Sequence, residues 1–224
     1  MFTAIIQARM SSTRLPGKVL KKINGRPMLY HMLQRVAEAR QIDEVILATS
    51  IEDGDDEIAD FCKEQGVQCY RGNLDDVLDR YYQAAKNNNC DHIVRLTADC
   101  PIIDPRIIDH MIEIYKNGQF DYVANTCPPE GITYPEGMDV EIFSYQALEK
   151  AWNETVKPSD REHVTFYFWN NPGIFSIFRH DLPHSFAHYR LTVDYPEDFE
   201  VIQHILDHFL PNVPCSRWNR SLRF

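Results

Sequence analysis

No acidic residue occurs before Glu38 in this 224-residue chain, although the chain as a whole carries a net charge of −10. That overall acidity speaks against the broad basic face of a general nucleic-acid binder and against a polybasic membrane anchor. No apolar run approaches the ~20 residues that cross a bilayer. The stretch "FTAII" is too short for a secretory apolar core, and Arg9 interrupts it early. The six cysteines, Cys62, Cys69, Cys90, Cys100, Cys127 and Cys215, contain no CxxC pair. Free thiols in a reducing compartment are therefore expected, with a cytoplasmic location, rather than a disulfide framework or a zinc site. Neither GxxxxGK(S/T) nor GxGxxG is present, which removes the two familiar phosphate-loop patterns. Internal repeats, low-complexity tracts and flexible linkers are missing as well. The length suits one large α/β domain over residues 1–224, big enough to bury its own core.

Against those absences stands a concentration of positive charge. Arg9, Arg14, Lys18, Lys21, Lys22, Arg26 and Arg35 give the first 37 residues a charge of +7 and leave −17 for the remainder. Three of them lie in "QARMSSTRLPGKVL", residues 7–20, whose Ser, Pro and Gly do not read as helix. A one-signed field on so small a region suits a compact, multiply charged anion. The backbone amides of residues 10–13 are read as its cradle, Arg9 and Arg14 as forked donors, and Lys18 as a mobile point charge. Gly17 allows the chain to turn away tightly.

Strand and helix signals alternate through the first 125 residues. "TAIIQA", "EVILAT" and "HIVRLT" are apolar strands, and "DYVAN" is a candidate for another. Helices are expected from Pro27, over residues 55–65 and 75–87, and from about Pro105. Such alternation implies crossover units and a mostly parallel sheet covered on both faces. The rhythm then changes. Residues 126–143 are rich in Pro and Gly and end in the alternating strand "DVEIFS"; "SIFRH" and "YRLTVD" read as further strands before a helix from Glu197. In open parallel sheets ligands gather beyond the carboxyl ends of the strands. The basic loop after "TAIIQA" and the "TADCP" turn after "HIVRLT" both lie at such ends. Asp99 in that turn and Asp194 in "LTVDYPED" are the candidate carboxylates for a hard divalent cation such as Mg²⁺, beside the alternative that an Asp after a strand is a helix cap or turn residue.

"IIQARMSSTRLPGKVL", "RLTADCP" and "LTVDYPEDFEVI" together resemble the cytidylyltransferases that activate acidic sugars such as sialic acids and ketodeoxyoctonate, and in particular the spore-coat-polysaccharide branch. The likeness runs from the first strand to about residue 209, and the opening motif is its most specific part. It implies a nucleotide-diphospho-sugar transferase fold, a three-layer α/β/α sandwich with a mostly parallel central sheet. It further implies a triphosphate loop of Ala8, Arg9, Met10, Ser11, Ser12, Arg14 and Lys18, with Mg²⁺ on Asp99 and Asp194. "RGNLDDVLDRY" falls where relatives hold the pyrimidine and ribose, which gives Arg71, Gly72, Asn73 and Asp76, and Thr97 and Ala98 approach the base from the next loop. "YPEGMDVEIF" and "REHVTFYFW" resemble segments that complete the sugar pocket. Glu136 and Asp139 belong to the first; Arg161 and His163, with Arg190, are the residues expected to meet an acidic acceptor.

The reaction so implied is in-line attack of a sugar hydroxyl on the α-phosphate of CTP with loss of pyrophosphate. Arg9, Arg14, Lys18 and Asp99 are the expected catalytic set. Rival readings are a same-fold enzyme with another nucleotide or acceptor, and a non-catalytic nucleotide-binding scaffold. Residues 126–143 have two readings, an acceptor-pocket excursion or the arm of a homodimer. "REHVTFYFW" also reads as a helix with Val164, Phe168 and other aromatics in the core. Two departures from the resemblance stand out. "RGNLDDVLDRY" lacks the arginine that some relatives place directly before its valine, and "PCSRWNRSLRF" does not match the family's usual closing segment. His180, His184 and His188 are spaced by four, but Pro183 argues against a metal-binding helix there, and Cys100 has no visible activating partner.

Overall fold

The computed structural model describes residues 1–209; Cys215 and the whole of "PCSRWNRSLRF" lie outside the described residues. Its elements are β1 (Phe2–Gln7), β2 (Lys22–Ile23), β3 (Arg26–Pro27), α1 (Met28–Val36), β4 (Glu44–Ser50), α2 (Asp56–Gln65), β5 (Gln68–Gly72), α3 (Val77–Asn87), β6 (His92–Thr97), α4 (Pro105–Asn117), β7 (Tyr122–Ala124), β8 (Glu141–Ser144), α5 (Tyr145–Glu154), α6 (Pro158–Glu162), α7 (Phe166–Trp169), β9 (Ile177–Arg179) and α8 (Pro196–Phe209). Seven strands form one sheet in the order β5-β4-β1-β6-β8-β7-β9. β5, β4, β1 and β6 run parallel, and β8 enters antiparallel to both β6 and β7.

The strands of the parallel half are apolar because both faces are covered. Along β1 the period of two sends Ala4 and Ile6 to one face and Ile5 to the other. The first face packs against α1, α4 and α8 through Met28, Met32, Ile108, Met111, Ile112 and Ile202. The second packs against α3 and α5 through Leu78, Tyr81, Leu148 and Ala151. The result is the expected three-layer α/β/α sandwich. No described helix is long and apolar enough to cross a membrane.

Three local expectations change. "YRLTVD" forms no strand; only a single parallel bridge joins Glu136 to Arg190. Its backbone is spent elsewhere, with Leu191 N–H on the Glu136 carbonyl and Val193 N–H on the Asp99 carbonyl. "REHVTFYFW" is broken rather than one helix: α6 ends at Glu162, and Val164 takes φ 54°, a left-handed value unusual for a β-branched residue. Val164 and Phe168 are nevertheless both fully buried. Finally, β5 and α5 are elements for which the sequence reading made no provision. The 126–143 segment is tied down on its own chain, with Arg179 donating to the Pro128 and Glu130 carbonyls and Leu182 N–H to Thr133 Oγ1.

Candidate active site

The basic loop is closed on itself before it meets anything else. The Met10 carbonyl accepts from the amides of both Ser12 and Gly17, at 2.9 Å each. Gly17 takes φ 68°, which lets the chain turn into the short helical turn that carries Lys18. The loop is then fastened to the sheet by a residue that the sequence suggests only as a helix-opening acid. Asp55 makes no side-chain cap to its own helix. It takes the Met10 amide at 2.7 Å and the Ser50 amide at 3.0 Å, and also the Ser50 hydroxyl. The cradle of residues 10–13 is corrected accordingly: the Met10 and Ser12 amides are already engaged, while those of Ser11 and Thr13 make no such bond within the described residues.

Lys18 is 7% exposed and sits at the end of this loop. Its Nζ donates to the Val193 carbonyl at 2.6 Å, to Asp194 Oδ1 at 2.9 Å and to Asp99 Oδ2 at 3.3 Å. Residues 81 and 176 positions apart in sequence from Lys18 therefore meet at one ammonium. The two carboxylate loops are also laced together, because Val193 N–H and Thr192 Oγ1 both donate to the Asp99 carbonyl. Arg14 reaches Asp194 Oδ1 at 2.9 Å and lies over the Tyr195 ring. Arg190 takes Asp194 Oδ2 at 2.8 Å, binds Asp198 at 3.0 Å and also pairs with Glu136. Arg9 is exposed and makes no ion pair among the described residues.

Burial pushes the carboxyls of Asp55 and Asp194 upward, but both end below the ordinary range. Hydrogen bonds from Met10 and Ser50 outweigh burial at Asp55; Lys18, Arg190 and Arg14 do so at Asp194. A carboxylate shifted this way contributes its full stability above an unfolded pKa of about 4 and loses it as pH falls through the lower native value. Asp55→Asn places an amide against donors, so it is expected to cost about 1–3 kcal/mol at pH 7. Urea unfolding should show the gap to wild type narrowing as pH drops below about 4.

The cleft between these groups has a volume of about 210 Å³, and its lining includes Gln7, Ala8, Arg9, Ser12, Arg14, Lys18, Arg80, Thr97, Ala98, Asp99, His163 and Asp194. Gln7, Val77, Arg80 and Glu162 are lining residues that sequence reasoning missed. A larger hollow of about 750 Å³ lies between α4, α8 and residues 134–138, and none of the loop cations or paired aspartates reaches it.

Several nucleotide-side residues serve the scaffold. Arg71 donates to the Ser50 and Glu52 carbonyls at 2.9 and 3.0 Å and pairs with Asp56 at 2.6 Å, so its guanidinium holds the loop after β4 and does not line the cleft. Asn73 Oδ1 accepts the amides of Asp75 and Asp76, and Asp76 caps α3 through the Asp79 amide. Gly72 is held against Arg80, whose Cγ would lie 3.1 Å from an added Cβ.

The expected acceptor group divides in two. Arg161 binds Asp76 at 2.7 Å and the Trp152 and Thr155 carbonyls at 3.3 Å, fixing α6 to α3, and His163 lines the cleft. Glu136 and Arg190 are instead gathered at Asp194, Arg190 pairing with both acids, and neither lines the cleft. Asp139 accepts the Gly137 amide at 2.9 Å, with burial pushing its carboxyl up. The Cys100 thiol lies 3.6 Å from Asp99 and 3.9 Å from Asp139; burial and both acids drive its pKa far up, the opposite of what a nucleophile needs.

The cytidylyltransferase family model matches residues 3–211 of the chain. The spore coat polysaccharide biosynthesis protein SpsF of Bacillus subtilis is 35% identical over 208 residues, covering 89% of this chain and 83% of its own. A cytidylyltransferase structure from Leptospira borgpetersenii superposes with a TM-score of 0.87 at 37% identity, over 93% of this chain and 87% of that one. The fold is shared more distantly by a CMP:2-keto-3-deoxy-manno-octonic acid synthetase solved with CTP, with a TM-score of 0.70 at 19% identity over 92% of this chain and 98% of the other.

Proposed function

The chain belongs to the cytidylyltransferase family, and on that premise we propose that its cleft moves CMP from CTP onto a hydroxyl of an acidic sugar and releases pyrophosphate, for surface-polysaccharide synthesis. The observation that carries this reading is the meeting of Asp99 and Asp194 at the Lys18 ammonium, at the mouth of the basic loop.

The pair fits a hard divalent ion. Two carboxylates from different loops converge on the Lys18 ammonium, and such a hard oxygen pair would suit a divalent ion whose other ligands are phosphate oxygens and water. Asp99 and Asp194 would hold Mg²⁺, which when bound supplies charge neutralisation at the reacting phosphate and a lower pKa for the attacking hydroxyl. The other roles fall to the chain's own side chains. Arg14 and Lys18 flank Asp194, and with Arg9 they offset the charge that builds on the leaving pyrophosphate. Their positions are set before any ligand arrives, by the Asp55–Met10 tether and by Arg190, so little reorganisation accompanies reaction. Arg190 and Glu136, paired beside Asp194, and Asp139 are the residues assigned to meet the acceptor.

Pyrophosphate release with each of the four nucleoside triphosphates, Mg²⁺ and a panel of acidic sugars tests the proposal. Turnover is expected with CTP and an acidic sugar, and EDTA should abolish it. Release with a different nucleotide, or only with a phosphorylated acceptor, would transfer the chain to another activity of the same fold. Binding of CTP with Mg²⁺ but no turnover across the panel would point to the scaffold reading.

A further inference from the structure

Arg80 is the most deeply buried cation of the cleft, at 2% exposure, and its donors are poorly satisfied. Its Nη1 makes one long hydrogen bond, 3.3 Å, to the Asn73 carbonyl, and its enclosed Nε has no partner. A guanidinium buried with unmet donors is costly unless something brings acceptors to it. The nearest acids cannot do so. Asp55 is spent on Met10 and Ser50, and Asp76 on Arg161 and the Asp79 amide. The Arg80 stem is fixed against Gly72, and Arg9, across the same cleft, adds a second positive charge rather than relief.

The position of this guanidinium says which part of a nucleotide it would meet. In the sheet order β5-β4-β1-β6, Arg80 stands beside Gly72 at the end of β5. Asp99, Asp194 and Lys18 gather on the other side of β1, beyond β6. The phosphates belong with the lysine and the paired aspartates, so the nucleoside extends toward Arg80, where Ala8, Val77 and Ala98 offer a small apolar wall for a ring.

We propose that Arg80 reads the base, giving its unpaired donors to the edge of cytosine that carries O2 and N3. Both of those atoms are acceptors and suit a planar fork of N–H groups. Uracil carries N3–H at the same place and would set donor against donor. A site built around such a hydrogen bond rejects the analogue that cannot complete it. This assignment rests on the CTP reading given above.

Calorimetric titration of wild type, Arg80→Met and Arg80→Lys with CTP, UTP and inorganic tripolyphosphate, each with Mg²⁺ and without acceptor, tests it. Wild type should hold CTP at least about tenfold more tightly than UTP. Arg80→Met should lose about 10- to 100-fold in CTP affinity but less than about threefold for tripolyphosphate, bringing the CTP/UTP ratio close to one. Arg80→Lys keeps the charge without the fork, and the ratio should stay collapsed. Methionine preserves the stem and removes a buried unpaired charge, so that variant should melt no lower than wild type; should it fail to fold, the lysine variant carries the test. Equal losses for CTP, UTP and tripolyphosphate, or an unchanged CTP/UTP ratio in the variants, would overturn base reading by Arg80 alone. Wild type that binds no CTP would overturn the functional reading and this inference with it.

Discussion

Lys18→Ala should lower CTP-dependent pyrophosphate release by roughly 10²- to 10³-fold, the loss common when one preorganised charge-stabilising donor is removed. That corresponds to about 3–4 kcal/mol of transition-state stabilisation. The size follows from the lysine's position. At 7% exposure it contacts both carboxylates and a backbone carbonyl of the loop that carries one of them, so its removal takes away a local charge and the clasp between two loops. Arg14 and Arg190 remain on Asp194 in the variant, but no other cation touches Asp99 among the described residues. Lys18→Arg should not rescue turnover, because a planar fork cannot occupy the place of a compact ammonium bonded on three sides. Steady-state kinetics alongside a thermal melt separates lost chemistry from lost fold. Turnover near wild type would remove Lys18 from the mechanism.

Gly137→Ala should be the most damaging single-methyl change in the described chain. Gly137 has φ 102°, and an added Cβ would lie 2.5 Å from the Leu191 carbonyl carbon and 2.6 Å from the Thr192 nitrogen. Those are backbone atoms of the segment leading into Asp194, and they have nowhere to go without moving that carboxylate. Left-handed strain costs about 1–3 kcal/mol and overpacking about as much again. A total near 3 kcal/mol would lower Tm by roughly 6–12 °C in a domain of this size. Activity should fall further than the remaining folded fraction explains, since a shift of about 1 Å at a reacting centre can cost ~10²-fold. Gly131→Ala is the control. Gly131 has φ 69° but nothing within 4 Å of an added Cβ, so it isolates the backbone cost and should leave kcat unchanged. Equal melting temperatures for the two variants would show that the contact at Leu191 yields easily.

The parts of this architecture legible in the sequence are those governed by burial. β1, β4 and β6 announce themselves because strands covered on both faces are continuously apolar, and α1 and α4 because their inward stripes recur at helical spacing. The positions of Lys18 and Asp99 were legible for a related reason, the one in a cationic loop behind β1 and the other just after β6, whereas Asp194 was singled out through an expected strand that does not form. β5 was hidden because it is an edge strand whose Gln68 and Cys69 are exposed. "YRLTVD" misled in the opposite sense: its alternation is that of a strand, but its donors go to single carbonyls on two different loops. Asp55 shows the limit of local pattern most clearly. An aspartate opening a helix looks like a cap, and only the fold reveals that its oxygens are turned to a loop 45 residues upstream. Arg71 and Arg161 sit in motifs that suggested ligands, yet backbone carbonyls and neighbouring acids claim their guanidinium groups.

Arg190 spans Glu136, Asp194 and Asp198, and so joins the 126–143 segment to the turn that carries Asp194. The groups proposed to handle phosphate come from separated stretches, residues 9–18, Asp99 and Asp194, and it is Asp194 that this arginine ties to Glu136. Exchanging residues 126–139 between relatives is therefore a route to new acceptor preference that leaves α6 and its bond to Asp76 in place, provided that the guest segment brings an acid able to grip this one arginine.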